Sequence, residues 1–247
     1  MKKEIFLNTY INNFTMKDAL TEIDKLIQTK KKSYVVAINV DVVVKMEDDL
    51  YLKKITDEAD LVLVDGKPLI WISQYFKNPI KEKVSGSDLV PELCKIANEK
   101  NYSIFILGGK EGVAEKAGLN LLDQYKNIRI VGTYSPPIGF EKNVEELNRI
   151  NDLITSKKPD ILLACLGCPK QEKWIYENYK KYDATVSICA GATVDFLAGN
   201  VQRAPRWMSN IGLEWLFRFF QEPRRMFKRY FVNDMKIFKL VFKYRRK

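Results

Sequence analysis

Asp65 closes the apolar run Leu61–Val64 and is followed at once by Gly66. A carboxylate at the end of a buried strand can take a proton from a hydroxyl at the rim where α/β proteins bind ligands. An Asp-Gly pair is also ordinary turn chemistry, so the residue gains weight from what the chain lacks. There is no histidine among its 247 residues. Ser-His-Asp and Cys-His nucleophile systems are excluded, as is zinc held by imidazole. Acid–base work falls to Asp, Glu, Lys, Tyr or Cys. Asp88 lies in Val84-Ser-Gly-Ser-Asp-Leu89 just before a helical stretch, where it reads equally as a cap or a first-turn charge. Lys170-Gln171-Glu172 follows Gly167-Cys-Pro169 at another helix start, where Lys and Gln suit a phosphate or a sugar hydroxyl. No Asp-x-Asp occurs, which disfavours a divalent-metal diphosphate site, so neither metal nor cofactor is expected. Cys94, Cys165, Cys168 and Cys189 lie in apolar or helical patterns and read as buried thiols in a reducing compartment. Cys165-Leu-Gly-Cys168 is a single CxxC pair, too few ligands for zinc by itself.

These residues need strands to hold them at one edge. Apolar, β-rich runs at 34–40, 61–64, 103–107, 128–131, 160–166 and 185–190 alternate with helix-patterned stretches at 16–31, 46–57, 87–100, 111–125, 143–156 and 170–181. Nearly continuous apolar strands are those covered on both faces. Regular strand–helix alternation predicts βαβ units in a three-layer α/β sandwich with a mostly parallel sheet. The segments after successive strands are Asn39-Val-Asp41, Asp65-Gly66-Lys67, Gly108-Gly109-Lys110, Gly132-Thr133, Gly167-Cys-Pro-Lys170 and Gly191-Ala-Thr193. Any one glycine serves a turn; several on one rim suggest backbone N–H groups gathered around a shared anionic ligand. Gly108-Gly109-Lys110 lacks the Walker spacing and no G-x-G-x-x-G occurs, which argues against P-loop and dinucleotide sites.

Charge divides the chain. The formal net charge is +10, yet residues 1–202 sum to zero, and 203–247 hold 13 basic residues against Glu214, Glu222 and Asp234. The same stretch carries 11 of the 29 aromatics. This predicts a body over 1–199 and a helical, basic appendage over 200–247, with helices at about 207–221 and 224–244 broken at Pro223. Phe227, Phe231, Met235, Phe238 and Phe242 form one stripe; Arg225, Arg229, Lys236, Lys239 and Lys243 form another. Such a helix suits an anionic membrane surface. Packing on the body and binding to nucleic acid are the other readings, the second disfavoured by the neutral body. No uncharged run of 18 residues exists to span a bilayer, and the start of the sequence is a poor secretion signal.

Together these motifs resemble the WecG/TagA/CpsF family of bacterial glycosyltransferases. The landmarks are Asn39, Ala59-Asp60…Asp65-Gly66, Val84-x-Gly86-x-Asp88-Leu89 and Leu107-Gly-Gly-Lys110. They continue through Gly132-Thr-Tyr-Ser-Pro-Pro-x-Gly-Phe140, Leu166-Gly-x-Pro-Lys-Gln-Glu172 and Gly191…Asp195-Phe-Leu-Ala-Gly199. Arg203-Ala-Pro-Arg-Trp207 and Gly212-Leu-Glu-Trp-Leu216…Arg218…Glu222-Pro223 close the series. The resemblance implies metal-independent, inverting transfer of a sugar, N-acetylmannosamine or a related hexose, from a UDP-sugar to a polyprenyl-diphosphate-linked sugar. That would occur on the cytoplasmic face of the membrane, in cell-surface polysaccharide or teichoic acid synthesis. It implies Asp65 as base, Asn39 as a neighbouring polar contact and Gln171 as a substrate contact. Arg218 and Arg225 match appendage arginines that approach the diphosphates. Gly108, Gly109, Lys110, Lys170, Asp195, Lys83 and Asp88 complete the expected substrate-binding set. Ala37 stands where many members have Thr, and Lys83 and Lys228 where Arg is common, which loses the bidentate fork. UDP-glucose or a uronic acid donor, a non-catalytic sugar-nucleotide sensor at the membrane, and a homo-oligomer stay open.

Overall fold

The computed structural model describes residues 3–245, with the side chains of Arg206 and Asn210 outside that description. The ends of the expected body and appendage, 1–2 and 246–247, therefore lie outside the described residues. The chain runs β1 (Glu4–Phe6), β2 (Thr9–Ile11), α1 (Met16–Gln28), β3 (Ser33–Ile38), α2 (Val40–Asp48), α3 (Leu50–Glu58), β4 (Leu61–Val64) and α4 (Lys67–Tyr75). It continues through α5 (Gly86–Lys100), β5 (Ser103–Gly108), α6 (Val113–Gln124), β6 (Arg129–Tyr134), α7 (Val144–Lys157), β7 (Ile161–Cys165), α8 (Lys170–Asn178), β8 (Val186–Cys189) and α9 (Thr193–Leu197). The C-terminal segment holds α10 (Arg206–Asn210), α11 (Glu214–Gln221), α12 (Pro223–Phe227) and α13 (Ile237–Tyr244), with a π-helical and a 3₁₀ stretch over 228–236.

Six parallel strands form the sheet in the order β4-β3-β8-β7-β5-β6. Successive strand residues feed two separate cores. Val36, Ile38, Val62, Val64, Leu107 and Leu162 face a core with α2, α3 and α8. Val35, Leu61, Leu63, Ile106, Leu163 and Ile188 face a core with α1, α5 and α6. That two-sided burial is why the strands read as unbroken apolar runs, and the three-layer sandwich is the expected architecture. The free edge of β4 is covered: Asn12, just after the β1–β2 hairpin, donates its N–H to Val62 O and accepts the Val62 N–H on its side chain, which removes an open ladder.

One helix starts earlier than expected and another falls where the sequence predicts none. The expected strand at 34–40 ends at Ile38 and the expected helix at 46–57 is two helices, the first begun by Asn39, whose side chain accepts the Val42 N–H at 3.2 Å. Residues 67–75 form α4, started by a first-turn proline and. The expected 207–221 helix is two helices, and the 224–244 helix changes to π and 3₁₀ turns midway.

The C-terminal segment packs on the body. Ile237 and Leu240 enter the core beside α2, and Lys243 and Lys236 pair with Glu47 and Asp48 on that helix. Part of the basic stripe thus reaches back to the body, though both lysines stay more than half exposed. The aromatic stripe does not: Phe227, Phe231, Met235, Phe238 and Phe242 are between 49% and 71% exposed. Among the described residues no helix is long and apolar enough to cross a membrane.

Candidate active site

The crevice opens where helix direction switches. After β3 and β7 the chain crosses to one face of the sheet, whereas after β8 it crosses to the other. Neighbouring loops therefore splay at the carboxyl ends, as ligand sites in open α/β sheets require. The cavity there has a volume of about 520 Å³. The body contributes Asn39, Asp65, Gln171 and Asp195 to its wall, and the C-terminal segment closes it with Arg218, Arg225, Lys228 and Arg229. Ala37 also lines it, offering a methyl group and no hydroxyl.

Asp65 is anchored through its backbone, the N–H donating to Ile38 O at 2.7 Å. Burial raises its carboxyl above the ordinary range; Lys83 and Arg218 pull against that rise, and Glu214 and Asp88 add to it. A carboxylate so held is a stronger base than an exposed one. Asp195 is also raised, first by burial and then by Glu222, against Arg225, Lys110 and Arg218. Asp88 behaves oppositely. Burial works against its ionisation, yet hydrogen bonds from Ser85, Lys83 and Arg203 hold it at about 2. Ser85, not Asp88, is the cap of α5, and Asp88 sits in the first turn.

Gln171 lines the cavity but is committed to the protein. Its Oε1 accepts the Gly191 N–H at 3.1 Å and its Nε2 donates to Glu172 at 2.8 Å. Glu172 is fully buried, and burial keeps its carboxyl raised. Lys170 is paired with Glu141 at 3.0 Å and lies over the Phe140 ring. Lys110 is exposed. Neither lysine lines the cavity, and neither does Gly108 or Gly109. Gly109 N–H donates to Cys165 O at 3.2 Å, and a side chain at Gly108, φ +121°, would collide with the Cys165 carbonyl. These glycines let β5 and β7 approach closely. Lys83 and Asp88 are paired to each other at 2.9 Å beside the cavity rather than in its wall.

Lys228, Arg229, Asp41 and Lys45 also line the cavity, outside the expected set of site residues. Asp41 and Lys45 pair at 2.7 Å across one turn of α2; their i,i+4 spacing was readable, but only once 40–48 is helix. Three cysteines are buried and Cys168 is partly exposed, none in a disulfide. Among the described residues no group of three or more His, Cys, Asp or Glu side chains is placed to hold a metal ion.

Fold and site define a class: an α/β protein with a carboxylate-bearing, cation-closed cavity at the sheet's carboxyl edge, suited to phosphorylated ligands. The sequence model of the glycosyl transferase WecG/TagA/CpsF family matches residues 4–247, and the chain belongs to that family. The chain is 32% identical over 171 residues to the N-acetylglucosaminyldiphosphoundecaprenol N-acetyl-beta-D-mannosaminyltransferase of Bacillus subtilis (strain 168). That match covers 69% of this chain and 64% of the relative, a little under two thirds of the relative's length. It is 26% identical to the proteins of the same name from Bacillus spizizenii, over 89% of this chain and 82% of that one, and from Staphylococcus aureus (strain MW2), over 81% and 76%.

Proposed function

We propose that the protein transfers N-acetylmannosamine, or a related hexose, from a UDP-sugar to a polyprenyl-diphosphate-linked sugar, with inversion and without a divalent metal. The observation that carries this reading is the raised Asp65 carboxylate in a cavity closed by four appendage cations. The names of the relatives support the sugar and the lipid-diphosphate acceptor. Asp65 takes the proton from the acceptor hydroxyl as that oxygen attacks the anomeric carbon from the face opposite the leaving group. The bond from the anomeric carbon to the diphosphate breaks and UDP departs with its electron pair. Arg218, Arg225 and Lys228 offset the charge that develops on it. Asn39 and Gln171 line the same cavity.

In this reading, 1–199 is the catalytic body and 200–247 the membrane-associating appendage, whose exposed Phe stripe enters the interface of an acidic bilayer on the inner face of the cell membrane. The product would serve cell-surface polysaccharide or teichoic acid synthesis. The test is incubation with a UDP-sugar panel and a short-chain polyprenyl-diphosphate N-acetylglucosamine in EDTA, read by mass. One N-acetylhexosamine added to the acceptor supports the proposal. A gain from UDP-glucose or a uronic acid donor alone would reassign the sugar. UDP-sugar binding with no transfer to any acceptor would favour a sensor.

A further inference from the structure

The loop before α5 brings Lys83 against carboxylates from two distant parts of the chain. Its Nζ lies 2.9 Å from Asp88 and 3.3 Å from Glu214, with the side chain only 12% exposed. Asp88 is also paired with Arg203 and accepts from the Ser85 hydroxyl at 2.6 Å. Glu214 opens α11. Lys83 and Asp88 thus belong to the body, and Arg203 and Glu214 to the C-terminal segment, so the four charges alternate across the seam between them.

This seam adjoins Asp65: the N–H of Val84, next to Lys83, donates to Val64 O at 2.8 Å, which sets that loop beside the strand end carrying Asp65. The charged groups acting on Asp65 are Lys83 and Asp88 from the body and Glu214 and Arg218 from α11. Lys83 is the cation with most influence there. A half-buried ammonium seeks carboxylates for each of its N–H donors. With Asp88 and Glu214 engaged its charge is shared; with Glu214 gone, less of that charge is offset where it acts on Asp65.

We propose that Glu214 is a positioning residue: by holding Lys83 against Asp88 it keeps that cation off Asp65 and leaves the Asp65 carboxylate free to take the acceptor's proton. The appendage therefore does more than supply cations to the leaving group, because its docking also frees the base. This inference rests on the reading of Asp65 as the base.

The experiment is the pH profile of kcat/KM for the chain of 247 residues, measured with UDP-N-acetylmannosamine and the short-chain polyprenyl-diphosphate N-acetylglucosamine. Glu214→Gln removes the anion that draws Lys83 away. The acid limb of the profile should move to lower pH by about half a unit to one unit, with turnover reduced several-fold and the melting temperature little changed. Lys83→Met should move the same limb to higher pH, and Lys83→Arg, which keeps the charge, should leave it in place. The double variant Lys83→Met/Glu214→Gln should bring the limb back toward that of the parent. An unmoved limb in Glu214→Gln, or a loss of turnover that Lys83→Met does not offset, would overturn the proposal. Asp65→Asn separates the two readings. If that variant keeps both activity and acid limb, the base assignment itself has failed and this proposal falls with it. If it loses them while the Lys83 and Glu214 variants share the parent profile, only the positioning role is lost.

Discussion

The side-chain oxygen of Gln171 accepts the backbone N–H of Gly191 at 3.1 Å, joining the start of α8 to the loop after β8. Its amide nitrogen is held by buried Glu172. A residue expected to touch substrate is first a brace across the mouth of the cavity. Gln171→Ala should leave the Gly191 N–H unpartnered and take one donor from the Glu172 carboxyl, lowering stability by about 1–3 kcal/mol and kcat/KM by roughly tenfold. Denaturant melts beside steady-state kinetics check this; a kinetic loss without any loss of stability would make Gln171 purely a ligand contact.

Asp234 lies buried beside Arg229, 3.8 Å from its Nε. Burial lifts its carboxyl to about 6 despite Arg229, with Asp41 adding to the rise and Lys45 opposing it. The folded state therefore binds this proton more tightly than the unfolded chain. Its contribution to stability is full below the ordinary carboxylate value and is lost as pH rises through about 6 and. Asp234→Asn should stabilise the protein by roughly 1 kcal/mol at pH 8, a figure already reduced for water reaching the site. The gain should be only about half as large near pH 5, because it vanishes only below the ordinary carboxylate range. Thermal melts at the two pH values decide it.

Lys110 and Lys170 stand outside the cavity wall, and Lys170 is occupied by Glu141. Their alanine variants should change donor KM by no more than about threefold. Arg225→Ala should raise it by at least tenfold, the usual worth of a lost charge-assisted hydrogen bond. Titration of each variant with the UDP-sugar gives the comparison.

The exposed stripe from Phe227 to Phe242 predicts a division of labour within the appendage. Phe231→Asp with Phe238→Asp should abolish co-sedimentation with acidic liposomes and lower the melting temperature only slightly, since Phe238 is exposed and Phe231 packs on the rings of Trp215, Phe219 and Phe227 within the same segment. Arg218→Ala, a cavity residue, should sediment normally and turn over more slowly.

Much of this molecule was legible before its coordinates. The strands at 61–64, 103–107 and 160–166 announce themselves because burial on both faces leaves little room for polar residues. Asp65 is legible because it ends such a strand. The hairpin over 4–11 is not, since its two strands have three residues each, too few to show a period. The start of the helix at 40–48 hides because its apolar residues continue those of β3, and a single Asn39 cap is the only stop. Missing that start also hid the Asp41–Lys45 pair. Glu214 was invisible as a site residue for another reason: its partner Lys83 is 131 positions away, and no local pattern encodes a contact at that separation. The amphipathic tail was readable as two stripes, but not that a third set, Ile237 and Leu240, would fasten it to α2.

The central claim is that Asp65 removes the acceptor proton. Its most direct test is turnover by Asp65→Asn on the UDP-sugar and polyprenyl-diphosphate N-acetylglucosamine, with donor affinity and melting temperature measured on the same preparation. The account predicts an intact fold, donor binding within a few-fold of the parent, and a fall in kcat of roughly 10²–10⁴, the range of general base catalysis. Turnover near that of the parent would contradict it.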